Sequence, residues 1–261
     1  MQKLDFFGLK ITSFTNEELI KYAVDSVNYN NSRIFYGYSL TIIPLFRKYR
    51  NLYWDANNSD IIVCDGAVFY RLVKTCGLML KSNLSIPEMT RLFIKLANDN
   101  GYSIYLLGAK GKVNQLAREN IINEYSNISV NGRDGYFNVN EQEKIISEIK
   151  KERPNIILIG ITTPYKEQLA IKMREENCGN IIIPCGGMID VLAGKTKQTP
   201  RILKRLGLAT FYRLIQEPHR LLLRYLISYY HIFFKIIPNI FFACIFHRKN
   251  FKLIDLYKEK F

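Results

Sequence analysis

The chain is poor in the residues that build metal and disulfide centres. Its five cysteines, Cys64, Cys76, Cys178, Cys185 and Cys244, form no CxxC pair, and its three histidines, His219, His231 and His247, all follow residue 194. That distribution argues against a zinc site or a disulfide framework. The opening MQKLDFFGLKITSFTNEELI has no continuous apolar core, so no secretory leader is expected and the body is assigned to a reducing cytoplasm. No repeat of fixed period, low-complexity tract or Pro/Gly-rich linker interrupts residues 1–194, which read as one unit able to bury a sizeable core. What the C-terminal part lacks is acid. Residues 195–261 hold 14 Lys/Arg against Glu217, Asp255 and Glu259, whereas residues 1–194 hold 23 basic and 20 acidic side chains. A basic excess confined to one end implies an anionic partner: nucleic acid, an anionic membrane surface or a phosphorylated substrate.

What the body does have is a recurring plan. Thr15 to Glu18 fits a capping box, and Leu19, Ile20, Ala23, Val24 and Val27 follow at helical spacing. DIIVCDG reads as a strand entering a turn, and YSIYLLGAKG followed by KVNQLARENIINEY reads as strand, glycine turn and helix. NIILIGITTPYKEQLAIKMREE and NIIIPCGGMIDVLAG repeat the pattern. Apolar strands alternating with helices predict an α/β fold with a mostly parallel, Rossmann-like sheet flanked by helices.

Ligands of such a sheet bind beyond the carboxyl ends of its strands. Four turns occupy those positions: Asp65-Gly66, Gly108 to Gly111, Thr162 to Pro164 and Gly186-Gly187. Glycine there lets backbone amides approach a phosphate, although a strand-to-helix turn uses glycine for steric reasons as well. Asp65 ends an apolar strand and faces the crevice, either as a turn or N-cap residue or as a general base. Asp190 begins a helix after the Gly-Gly turn, where it favours the helix dipole or bonds a ribose hydroxyl.

Beyond Gly194 a basic, helical pattern over residues 195–226 is expected to form an appendage, followed by an apolar and aromatic tail over 227–261. Arg213, Arg220 and Arg224 are spaced by seven and four, but Pro218 breaks or kinks the helix, so Arg220 and Arg224 share a face after it. ISYYHIFFKIIPNIFFACIF is long enough to cross a bilayer at about 20 residues. Lys235, Pro238 and Asn239 near its middle favour two interfacial helices bent at Pro238, with Lys235 snorkelling, over a span or an oligomer contact.

CGGMIDVLAGKTKQTP, continued through LGLATFYRLIQEPHRLLLRYL, resembles the WecG/TagA/CpsF family of bacterial glycosyltransferases, and the likeness extends over about residues 4–226 through FFGLKITSFTNEEL, SDIIVCDG, YLLGAKG, GYF and IGITTPYKE. The resemblance implies transfer of a ManNAc-type or other hexose from a UDP-sugar to a polyprenyl-pyrophosphate-linked sugar. It implies inversion, no metal or other cofactor, and a peripheral place on the cytoplasmic face of the membrane, in envelope polysaccharide or teichoic-acid synthesis. It further implies Asp65 as the base, and Gly108, Tyr136, Thr162, Pro164, Gly186, Gly187 and Asp190 around the nucleotide sugar. Arg213, Arg220 and Arg224 would meet the pyrophosphates as the appendage closes over the site. Three departures stand out. Gly37 and Ser39 replace a usual Thr-x-Asn, Asn83 to Ile86 (NLSI) replaces Arg-x-x-Gly, and Pro164-Tyr165-Lys166-Glu167 replaces Pro-Lys-Gln-Glu. The alternative is a nucleic-acid-binding module that uses the basic, aromatic tail, against which the Leu/Ile/Phe runs argue. A homo-oligomer is compatible with either.

Overall fold

The computed structural model describes residues 1–246 and 250–257, apart from the side chains of Val139 and Arg220; the remainder of the expected tail lies outside the described residues. Strands β1 (Gln2–Phe6) and β2 (Leu9–Ser13) form an antiparallel hairpin turned at Phe7 and Gly8, both at positive φ. The sequence reading contains no hairpin here, because Phe-Gly is not among the Asn-Gly or Asp-Gly dipeptides that mark such turns. Thr15 then caps α1 (Asn16–Asn28): its hydroxyl accepts from the Glu18 amide at 3.2 Å, and Glu18 Oε2 accepts from the Thr15 amide at 2.8 Å. The expected capping box is present.

Six strands follow, β3 (Arg33–Tyr38), β4 (Ile61–Cys64), β5 (Ser103–Gly108), β6 (Ser129–Arg133), β7 (Ile156–Gly160) and β8 (Ile181–Ile183). They form one all-parallel sheet in the order β4-β3-β8-β7-β5-β6. Helices α2 (Asn51–Asn57), α3 (Ala67–Thr75), α4 (Ile86–Asn100), α5 (Gly111–Glu124), α6 (Gln142–Glu152), α7 (Tyr165–Glu175) and α8 (Met188–Leu192) flank it. Successive strand residues alternate between two cores. Tyr36, Ile62, Leu107, Ile157 and Ile182 pack on one side, and Phe35, Ile61, Leu106, Ile156 and Ile181 on the other. Burial on both faces is why these strands read as unbroken apolar runs.

The appendage expected over residues 195–226 contains α9 (Arg201–Leu206), α10 (Ala209–Gln216) and the start of α11 (Pro218–His231), which runs on into the expected tail. The chain breaks at Glu217 (φ −136°, ψ 58°) and restarts with Pro218 in the first helical turn, as expected. At Pro238 the expectation of two bent helices is replaced by one helical run. A π turn over Ile232–Ile236 leads directly into α12 (Ile237–Ile245), with the Ile237 amide bonded to the Ile232 carbonyl. The wider turn makes room for a proline ring and its missing N–H, and the Asn239 side chain bonds the Lys235 carbonyl at 2.7 Å. Residues Leu221–Ile245 are long and apolar enough to cross a membrane by length and composition. Yet Ile232, Ile236 and Ile240 pack into the body's core together with Leu253, Ile254 and Tyr257. Lys235 does not reach away from the body: its ammonium lies 4.6 Å from the centre of the Tyr257 ring. Phe233, Phe234, Phe241, Phe242 and Phe246 remain exposed on the opposite side.

Candidate active site

All six parallel strands end at one cleft of about 1480 Å³, roofed by the appendage. The Asp65, Thr162 and Gly186 turns and the rim loop carrying Tyr136 line it together with Arg213 and Arg224.

Asp65 sits at the floor, where β4 ends. Its amide donates to the Tyr38 carbonyl at 2.7 Å, which sets the direction of the side chain. Gly66, at φ 103°, occupies the N-cap of α3 without a side-chain bond, so Asp65 does not cap the helix that follows it in sequence. Its Oδ1 instead accepts the amide of Ile86, the first residue of α4, at 3.1 Å. Burial pushes the Asp65 carboxyl above the usual carboxylate range; the Ile86 amide, Arg213 and Lys166 oppose the shift, and Glu88 adds to it. A carboxylate held with a raised proton affinity in a cleft suits proton transfer.

Arg213 lies across the Gly-Gly turn. A Cβ built on Gly187 would fall on the Arg213 guanidinium, although φ at 187 is an ordinary −74°. Gly187 is therefore required by the approach of a side chain from the appendage, whereas Gly186, at φ 57°, is required by its backbone. The Arg213 Nε is buried without a hydrogen-bond partner among the described residues. Arg224 lies on the wall of the same cleft, and the side chain of Arg220 lies outside the described residues.

Asp190 is in the cleft, bonded to Lys195 at 2.7 Å. Tyr136 is exposed on the rim, its amide held by Asp134 Oδ1 at 2.9 Å. Thr162 lines the cleft. Two expected residues do not. Gly108 stands against the neighbouring strand, with a Cβ there falling 2.5 Å from the Gly160 carbonyl oxygen, so Ala109 and Lys110 present that turn to the cleft. Pro164 is buried at the N-cap of α7, and Thr163 takes its place on the lining.

The appendage is fastened by residues that seemed unrelated in sequence. Gln216 accepts from the Lys197 amide at 2.7 Å and donates to its carbonyl at 3.1 Å, and Thr196 donates to Glu217 at 3.1 Å. Lys204 reaches Glu88 of α4 at 3.5 Å, and Arg71 of α3 donates to the Arg205 carbonyl. These bonds hold α9 and α10 over the strand ends.

Sequence reasoning missed two features. Lys166 and Glu167, adjacent in the first turn of α7, are both buried and paired, and Glu167 Oε1 also accepts from Tyr36 and Thr163, each at 3.1 Å. The only signal was the departure at Pro164-Tyr165-Lys166-Glu167. Two further departures meet in space, since a Cβ on Gly37 would clash with Ile86 Cγ1.

An all-parallel sheet with a cationic cleft beyond its strand ends is the Rossmann-like arrangement that receives anionic ligands. The chain belongs to the glycosyl transferase WecG/TagA/CpsF family, whose sequence profile it matches over residues 4–243. A protein of Bacillus subtilis (strain 168) named N-acetylglucosaminyldiphosphoundecaprenol N-acetyl-beta-D-mannosaminyltransferase is 29% identical over 170 residues, covering 64% of this chain and 66% of the relative. A Staphylococcus aureus (strain MW2) protein of the same name is 26% identical over 165 residues, covering 63% and 65%. The chain thus spans just under two thirds of the length of these relatives.

Proposed function

We propose that the protein is an inverting glycosyltransferase that moves a ManNAc-type sugar or another hexose from a UDP-sugar to a polyprenyl-pyrophosphate-linked sugar during synthesis of an envelope polysaccharide or teichoic-acid-like polymer. The observation that carries this reading is the meeting of a half-buried carboxylate, Asp65, with the guanidinium of Arg213 in one cleft at the strand ends. Family membership and the names of the relatives supply the substrate class.

Asp65 takes the proton of the acceptor hydroxyl as that oxygen bonds the anomeric carbon from the face opposite UDP. The bond from that carbon to the UDP oxygen breaks, and UDP leaves with the electron pair. Arg213, Arg224 and backbone amides of the turns neutralise the charge that grows on the diphosphate, in place of a metal ion. Tyr136 and Asp190 hold the nucleoside, with Asp190 free to bond a ribose hydroxyl through the oxygen that Lys195 does not take. The exposed phenylalanines of the C-terminal helix, beside a basic appendage, seat the protein on the cytoplasmic face of an anionic membrane, where a polyprenyl acceptor resides. Lys195, Arg201, Lys204, Arg205, Arg213 and Arg224 of the appendage line the cleft, which favours this reading over nucleic-acid binding.

The test is transfer from a panel of UDP-sugars to polyprenyl-pyrophosphoryl-GlcNAc, with and without EDTA, and proton NMR of the product's anomeric centre. Wild type should give an inverted product with EDTA present, and Asp65→Asn should lose about 10²–10⁴-fold in turnover. Equal rates for the two proteins, or a retained anomer, would sink the mechanism.

A further inference from the structure

Asp65 is gripped from one side by Gly37 and Ile86, which stand at two of the positions where the chain departs from the family pattern. Gly37 lies on β3 opposite Val63 of β4, two residues before Asp65, and it has no left-handed backbone to explain a glycine. The explanation is space. A Cβ there would clash with Ile86 Cγ1, lie 2.9 Å from Ile86 Cδ1 and 3.2 Å from Asp65 Cβ. Ile86 is 5% exposed, so its side chain is seated over the bare strand backbone at the edge of the cleft. Its own amide is the donor to Asp65 Oδ1 at 3.1 Å. The capping box of α4, in which Ser85 and Glu88 bond each other, fixes that amide in place.

We infer that Gly37 and Ile86 form an interlock that positions Asp65 and keeps water from one flank of its carboxylate, so that this pair sets the pH at which the base is ready. The inference rests on the reading of Asp65 as a base, but its steric part does not. One residue supplies both a directional bond and an apolar cover. The cover fits only because its partner has no side chain, so the two positions share a single volume. A hydrated carboxylate at this place would hold its proton less tightly, and the base would be ready at lower pH.

The experiment combines Gly37→Ala, Ile86→Ala and the double variant in the full chain. Thermal unfolding tests the interlock without reference to activity. Gly37→Ala alone should lower Tm by roughly 2–10 °C, and the same change should cost little once Ile86 has been trimmed. Equal costs of Gly37→Ala in both backgrounds would overturn the shared volume. The carboxyl titration of Asp65, read by carbon-13 NMR as the signal lost in Asp65→Asn, tests the proton affinity. It should move to lower pH in Ile86→Ala, and the acid limb of the pH–rate profile should move with it. Ile86→Val, a smaller trim, should move both in the same direction by less. An unmoved titration in both variants would overturn the role of Ile86 in keeping water from the carboxylate. Failure of wild type to transfer any UDP-sugar would count against the proposed function alone, since melting and carboxyl titration are read without turnover.

Discussion

Replacing Gly187 by alanine should disable the cleft without damaging the fold. The backbone at 187 has φ −74°, which alanine adopts freely, but its Cβ would occupy the place of the Arg213 guanidinium. The colliding group is the far end of a flexible side chain, so the guanidinium moves and the body does not. Alanine in a compatible conformation removes unfolded-state freedom, so Tm should be unchanged or rise by up to about 4 °C. The functional cost is that of an arginine moved off its station. A hydrogen bond to a charged group contributes about 1.5–3 kcal/mol, which corresponds to roughly 10- to 150-fold in rate. Sugar-transfer rates and calorimetric binding of UDP should be measured for Gly187→Ala, Arg213→Ala and the double variant. Both changes remove one contact, so the double should be no worse than Arg213→Ala alone. Full turnover in Gly187→Ala, or losses that multiply in the double, would refute the pairing of the Gly-Gly turn with the appendage.

Asp65→Asn should raise Tm at neutral pH while lowering turnover. The folded-state value of Asp65 is raised, so its favourable contribution is complete below the ordinary carboxylate value and is lost as pH rises through the raised one; the gain from asparagine should therefore grow with pH and shrink towards acid. A melting series of both proteins from acid to alkaline pH checks this, and a gain largest in acid would contradict the burial account. Serine in place of Phe233, Phe234, Phe241 and Phe242 should reduce partition onto anionic vesicles by at least about tenfold and leave the fold intact, as read by sedimentation with liposomes and by circular dichroism. Partition that is unchanged would remove that face from the membrane contact.

The parts of this protein that were legible in its sequence are local ones. The strand at Ile61–Cys64, the capping box at Thr15 and the restart at Pro218 each depend on residues within a few positions of one another, where periodicity and turn chemistry operate. The π turn before Pro238 was not legible, because a proline in a helical pattern signals a break unless tertiary packing holds the helix together. Here Ile232, Ile236 and Ile240 hold it against the body. The buried pairing of Lys166 and Glu167 is not legible in the sequence, because adjacent opposite charges in a first helical turn usually face solvent.

By itself the sequence determined the α/β alternation, the place of Asp65 at a strand end and the charge contrast between body and appendage, all of which follow from residue type and spacing. Only the tertiary structure decided that Asp65 takes its hydrogen bond from α4 and not from its own helix, that Gly187 is bare for Arg213, and that Gly37 is bare for Ile86. In each case one residue's identity is set by the volume or donor of another that is 21, 26 or 49 positions away in the numbering. Excluded volume acts between atoms that touch, and which atoms touch is known only once the chain has folded.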